Sequence, residues 1–172
     1  MKRIHHLALF VIVAVLVGCS GNRCLHTDWC ACSGGADCFQ SCDDSNGCRF
    51  FCDHMEQCAA TCGNGCSFNF HDAQENSFSC GDQCHIICTD SAACGALCGS
   101  GCDYTAGNAD RSGVRAGPGS RISCVNVKSC VVECLGQCTV FCMDQVDVCD
   151  VRCPDGAAPL SCDSGAMACG SC

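Results

Sequence analysis

The chain has 172 residues, of which 27 are cysteine, with a formal net charge of −9. After residue 18 only 23 of the remaining 154 residues are Leu, Ile, Val or Phe, too few to build a conventional apolar core, and a cysteine content above about 8–10% in a short chain signals a covalently stapled scaffold. The composition excludes a large-core enzyme domain, a coiled coil and, through its acidity, a nucleic-acid binder.

The first element is a leader. Lys2 and Arg3 precede the apolar stretch Leu7 to Leu16, which is too short for a permanent membrane helix. Leu16-Val17-Gly18-Cys19 follows and resembles the bacterial lipobox. The resemblance implies cleavage between Gly18 and Cys19 and lipidation of Cys19, with palmitate among the expected acyl chains. Ser20 at the next position suits sorting to the outer membrane. Residues 1–18 are thus read as a signal peptide and 19–23 as the lipidated cysteine and its short tether. Without Cys19 an even 26 cysteines remain, as full pairing in an oxidising envelope would require. The charge beyond residue 18 is 7 basic against 18 acidic, a net of −11.

Next comes an expected N-terminal cap, residues 24–37, holding Cys24, Cys30 and Cys32. A cysteine repeat array is expected over 38–102. Cys38, Cys48 and Cys58 are ten apart, as are Cys42, Cys52 and Cys62, and the beat returns at Cys84, Cys88, Cys94 and Cys98. A second array spans 124–153, with Cys130, Cys134, Cys138, Cys142, Cys149 and Cys153. Each C-x-x-x-C could be a helical turn or a strand, since both place i and i+4 on one face. The midpoint decides, because only a strand puts it on the cysteines' face. The midpoints are Gln40, Phe50, Ala60, Ile86, Ala96, Val132, Val140 and Val151, and all but Gln40 are apolar. Turn formers fill the gaps. The expected fold is therefore small, disulfide-rich and all-β: short strands stacked as a β-solenoid, ten residues making either one very small coil or half of a flattened one.

Strand geometry forbids a bridge within one C-x-x-x-C, because four residues span about 13 Å and a disulfide needs Cα atoms within about 7 Å. The structural disulfide candidates are the sixteen array cysteines from Cys38 to Cys153 named above, together with Cys169 and Cys172; their connectivity is open. Two interruptions stand out. In 67–79, Phe68 and Phe78 keep the ten-residue register of Cys58 and Cys88, as though phenylalanine took the place of sulfur. Residues 103–123 hold Arg111, Arg115 and Arg121 among Gly, Ser and Pro and are expected to form a flexible loop. Residues 154–172, with Cys162, Cys169 and Cys172, are expected to form a stapled C-terminal cap.

No nucleophile–base set, phosphate loop or metalloprotease motif occurs, so catalytic, cofactor and metal sites are all expected to be absent. Cys169-Gly-Ser-Cys172 has redox spacing without a thioredoxin-like context and is read as structural. His54 and His85 are read as surface residues, and Asp43, Asp44 and Asn46 as turn formers. The whole resembles cysteine-rich envelope lipoproteins of bacteria, some of which serve adhesion or gliding motility. The resemblance implies a membrane partner through the lipid and protein partners in the envelope or at the cell surface; no nucleic acid or small molecule is expected. The rival reading is a periplasmic thiol buffer for copper or zinc, drawing on these cysteines with His26, His54, His71 and His85. A redox partner for other secreted proteins is a third reading.

Overall fold

A computed structural model describes residues 29–42 and 46–172; the lipobox, Cys19 and Cys24 lie outside them. Nearly every described segment is strand, and the chain winds as a parallel β-solenoid without α-helix among the described residues. The strands are β1 (Trp29–Ser41), β2 (Arg49–Cys62), β3 (Ser67–His71), β4 (Glu75–Cys80), β5 (His85–Thr89), β6 (Ala93–Cys98), β7 (Asp103–Ala116), β8 (Ser120–Cys134), β9 (Cys138–Met143), β10 (Val148–Arg152), β11 (Leu160–Ser161) and β12 (Met167–Cys169).

The residues between paired cysteines behave as strand midpoints. Phe50, Ala60, Ile86, Ala96, Val132, Val140 and Val151 are all buried, and so is the polar exception, Gln40. Their neighbours point outward, giving the alternation of a sheet with one solvated face.

Ten residues make half a coil. Two parallel walls face each other. One pairs Arg49 with Ser67, Ser67 with His85, His85 with Asp103, Asp103 with Arg121 and Arg121 with Thr139. The other pairs Gln57 with Glu75, Glu75 with Ala93, Ala93 with Arg111 and Arg111 with Ser129. Equivalent residues lie 18 apart through most of the molecule, against 20 between β1 and β2. The difference sits in one corner. The first corner joins cysteines six apart, as in Cys52–Cys58, Cys88–Cys94 and Cys124–Cys130. The second shortens from Cys42–Cys48 to the four-residue Cys62–Cys66 and Cys134–Cys138. The long strands β2, β7 and β8 run through the first corner without a break.

Each corner has its own backbone device. At the first, His54, Asp72, Asp90, Asn108, Asn126 and Asp144 all have positive φ. Asn, Asp and His are the non-glycine residues most often found in that conformation. Their side chains stack between coils: Asn126 Nδ2 donates to Asn108 Oδ1 at 2.9 Å, and Asn108 Nδ2 to Asp90 Oδ1 at 3.0 Å. At the second, the Asn46 side chain accepts from the Asn64 amide at 2.8 Å, Asn64 from that of Asp82 at 2.7 Å, and Asp82 from that of Ser100 at 2.7 Å. Backbone groups that a loop would leave to solvent are thus paired from coil to coil.

The core is a set of ladders. Phe50, Phe68, Ile86, Tyr104, Ile122 and Val140 follow one another along one wall, all buried, and Phe50 and Phe68 stack at 4.9 Å between ring centroids. Phe78 lies against Phe70 at 4.4 Å. Residues 67–79 are therefore one regular coil, built from β3 and β4, but Phe68 and Phe78 occupy mid-strand positions. Phe70 and Asn76 occupy the bridge positions at the first corner, equivalent to Cys52 and Cys58 one coil earlier. Residues 103–123, expected to be a flexible loop, are also regular: they form β7 and the start of β8. Ala106 and Ser112 take the bridge positions there, and Tyr104, Val114 and Ile122 fill the interior. Of the content that suggested a loop, Arg111, Arg115, Arg121 and Gly113 sit on outward positions, whereas Ser112, Ser120 and Ser123 are buried.

The C-terminal segment turns across the last coil. A short 3-10 turn, Pro154–Gly156, leads to β11 and β12, which pair antiparallel to each other, and β12 pairs antiparallel to β9.

Candidate functional site

The bridges lie at the corners, as the span of a strand requires. No described C-x-x-x-C strand is bridged to itself; Cys38 joins Cys32, Cys42 joins Cys48, and Cys52 joins Cys58. Cys62 joins Cys66, Cys88 joins Cys94, and Cys130 joins Cys124. Cys134 joins Cys138, and Cys142 joins Cys149. Cys169 and Cys172 are each bonded elsewhere, to Cys153 and Cys162, so the terminal C-x-x-C is a double staple of the cap and offers no redox dithiol.

Cys84 and Cys98 depart from expectation. They are unbridged, together with Cys80 and Cys102, and all four are buried. The 18-residue winding places Cys98 beside Cys80 on adjacent strands, and brings Cys84 and Cys102 beneath the same corner. The sulfurs of Cys80, Cys84 and Cys102 lie within 4.8 Å of one another. Cys80 is within hydrogen-bonding reach of the other three, and so is Cys102. Four thiols from two successive coils therefore converge on one point instead of separating into pairs.

Backbone carbonyls line this corner. Cys84 Sγ sits 3.5 Å from Gly81 O, and Cys102 Sγ sits 3.4 Å from Gly99 O. The corner backbones approach so closely that a Cβ on Gly99 would meet the Gly81 carbonyl carbon at 2.9 Å, which keeps that position without a side chain. The sulfurs tune one another. Thiols of Cys102 and Cys80 donate toward Cys98 and pull its pKa down to about 5, against the opposing effect of burial. Cys102 is lowered by Cys80 and Cys84. Cys84 is pushed up to about 11, first by Cys102, and Cys80 is raised as the group that keeps its proton. The sequence contained the signal for this cluster, two C-x-x-x-C corners 18 residues apart, but it becomes readable only once the coil length is known.

A second polar group lies outside, at the first corner. His54 and His85 are exposed, as expected for surface residues, and so is His71. Asp53 lies 2.9 Å from both His71 Nδ1 and His54 Nδ1. His54 Nε2 reaches Asp72 at 3.2 Å, and His71 Nε2 reaches Asp90 at 3.3 Å. The hydrogen bond that His71 donates to Asp53 raises the His71 pKa, and the bonds Asp53 accepts from His71 and then His54 lower its own. Asn46 serves the turn ladder of the second corner.

The outward side of the second wall is a shallow trough. Its floor is the small-residue row Ala59, Ser77, Gly95 and Gly113, with Phe39 at one end and Val131 at the other. Arg111 Nη2 reaches across two coils to Glu75 at 3.2 Å.

No known family, curated protein or solved structure matches the chain.

Proposed function

We propose that this protein is a non-enzymatic, lipid-anchored structural module of the bacterial cell envelope, a disulfide-rigid rod that offers its polar flat faces to envelope or cell-surface proteins. The observation that carries the reading is the placement of the bridges. They lie at the corners and leave both outward walls without bridges. The described interior is filled by sulfur, alanine and larger side chains from both walls, such as Phe50, Phe70, Tyr104 and Val132. Extensive cystine suits an oxidising compartment beyond the cytoplasm, and the Leu16-Val17-Gly18-Cys19 pattern supplies a reason for attachment to the outer membrane. Flat, stiff, repetitive walls suit adhesion or motility assemblies, because a rigid surface loses little conformational freedom when it binds. The bridged cysteines offer no thiolate, which disfavours a bulk metal buffer.

Metabolic labelling with a palmitate analogue, followed by detergent-phase partition, tests the anchor. The wild type is expected to take up label and enter the detergent phase. Cys19→Ala is expected to do neither, while keeping the same bridge map. Equal labelling of the two proteins would overturn the reading.

A further inference from the structure

The four unbridged cysteines form a group of a different kind from the rest. Two other trios of neighbouring cysteine sulfurs occur among the described residues, Cys42/Cys48/Cys62 and Cys134/Cys138/Cys169. Every member of those trios is consumed by a bridge. Among the described residues, only Cys80, Cys84, Cys98 and Cys102 keep their thiols.

We propose that Cys80, Cys84, Cys98 and Cys102 form a tetrathiolate site for one zinc ion at the middle of the solenoid. Zinc with four cysteine ligands is tetrahedral, with Zn–S of about 2.3 Å and hence sulfur–sulfur edges of roughly 3.8 Å. The cluster is already near that size, with three sulfurs inside 4.8 Å of each other and the fourth in contact with two of them. Ligands on adjacent strands and on either side of a tight corner are held by backbone pairing, so little rearrangement separates the thiol cluster from a coordination sphere. Burial removes competing water. Without the ion, Cys84 and Cys102 donate their S–H to the carbonyl oxygens of Gly81 and Gly99, contacts that are given up when the sulfurs take the metal.

Binding releases to solvent the protons that the four sulfurs still carry and forms four Zn–S bonds, with no change of oxidation state. The ion is structural, because four protein ligands leave no open position for a substrate. It also explains how four thiols persist beside so many cystines. Coordinated sulfur is shielded from oxidation, and the ion staples two coils to each other, where Cys62–Cys66 and Cys134–Cys138 each staple one coil to itself.

The rival arrangement is a pair of further bridges, Cys80–Cys84 and Cys98–Cys102, on the pattern of Cys62–Cys66. The test uses the full chain purified from the envelope without chelator. Free thiols are alkylated in denaturant with chelator present and mapped by mass spectrometry, and metal is measured on the same sample. The expected result is alkylation at these four cysteines and about one zinc per chain. Cobalt(II) added to metal-stripped protein without oxygen should give the absorption of a tetrahedral thiolate complex, which Cys98→Ser/Cys102→Ser should lose. Bridges mapped to Cys80–Cys84 and Cys98–Cys102 would overturn the proposal. So would four free thiols that hold neither zinc nor cobalt. The wild-type thiol map decides even if the double variant fails to fold, and none of these outcomes depends on lipidation at Cys19.

Discussion

Single side chains are asked to do unusual work in so thin an interior. Tyr104 is fully buried, and its hydroxyl crosses the lumen to Ser112 Oγ at 2.8 Å and to the carbonyl of Cys94 at 3.4 Å. Burial pushes the phenol's pKa up, so it stays a donor. Tyr104→Phe leaves the buried Ser112 hydroxyl without its partner and is expected to cost about 1–3 kcal/mol, read from the denaturant midpoint. On the surface, His71 titrates against Asp53. The folded pKa of His71 lies above its unfolded value of about 6.5, so its stabilising contribution is whole below that pH. It is lost as pH rises through the folded value. Asp53 is lowered, so its contribution holds above its unfolded value of about 3.9 and is lost as pH falls through the folded one. The contact is strongest between those two limits. In Asp53→Asn the His71 imidazole is expected to titrate at lower pH by NMR; an unchanged midpoint would remove Asp53 as the cause. Strand midpoints were legible at this scale because strand periodicity is strict. The inward Gln40 was legible as the exception, and its amide donates to Cys32 Sγ at 3.0 Å.

Corners, more than strands, set the identity of each coil. Cystine at the first corner recurs at Cys52–Cys58, Cys88–Cys94 and Cys124–Cys130, with Phe70/Asn76 and Ala106/Ser112 in between. A ten-residue beat was visible because the earliest coils use the longer form of both corners. Once the second corner contracts to four residues, the beat breaks in the sequence while the strands stay in register. The cysteine-poor coils were the hardest to see, since spacing carries no mark where sulfur is replaced by Ala106, Ser112, Ala116 and Ser120. The contracted corner also requires close backbone contact. A Cβ on Gly117 would lie 2.5 Å from the Gly99 carbonyl carbon. Gly117→Ala is expected to cost about 1–3 kcal/mol, the range of overpacking in a site that cannot give way, measured by equilibrium unfolding.

Across the whole molecule, sulfur replaces bulk. One bridge is typically worth about 2–4 kcal/mol and a domain about 5–15, so a few bridges match the whole stability of an ordinary domain. Reduction followed by alkylation is expected to abolish the strand signal in circular dichroism, and a fold that survived would show that the ladders suffice alone. The solenoid class was legible from the repeat and the midpoints together. The thiol cluster was not, because it is a property of two coils stacked and neither one carries it. The segment 104–121 has no cysteine, yet it amounts to one complete winding, since Asp103 pairs with Arg121 directly above it. Excising 104–121 would join Asp103 to Ile122 in phase, keep every disulfide partner, and shorten the molecule by one interstrand spacing, about 4.8 Å. An unaltered cystine map in the excised protein is the expected outcome. Length is then a quantity that genetic duplication or loss can adjust in whole steps, like links in a watch strap, without renegotiating the fold.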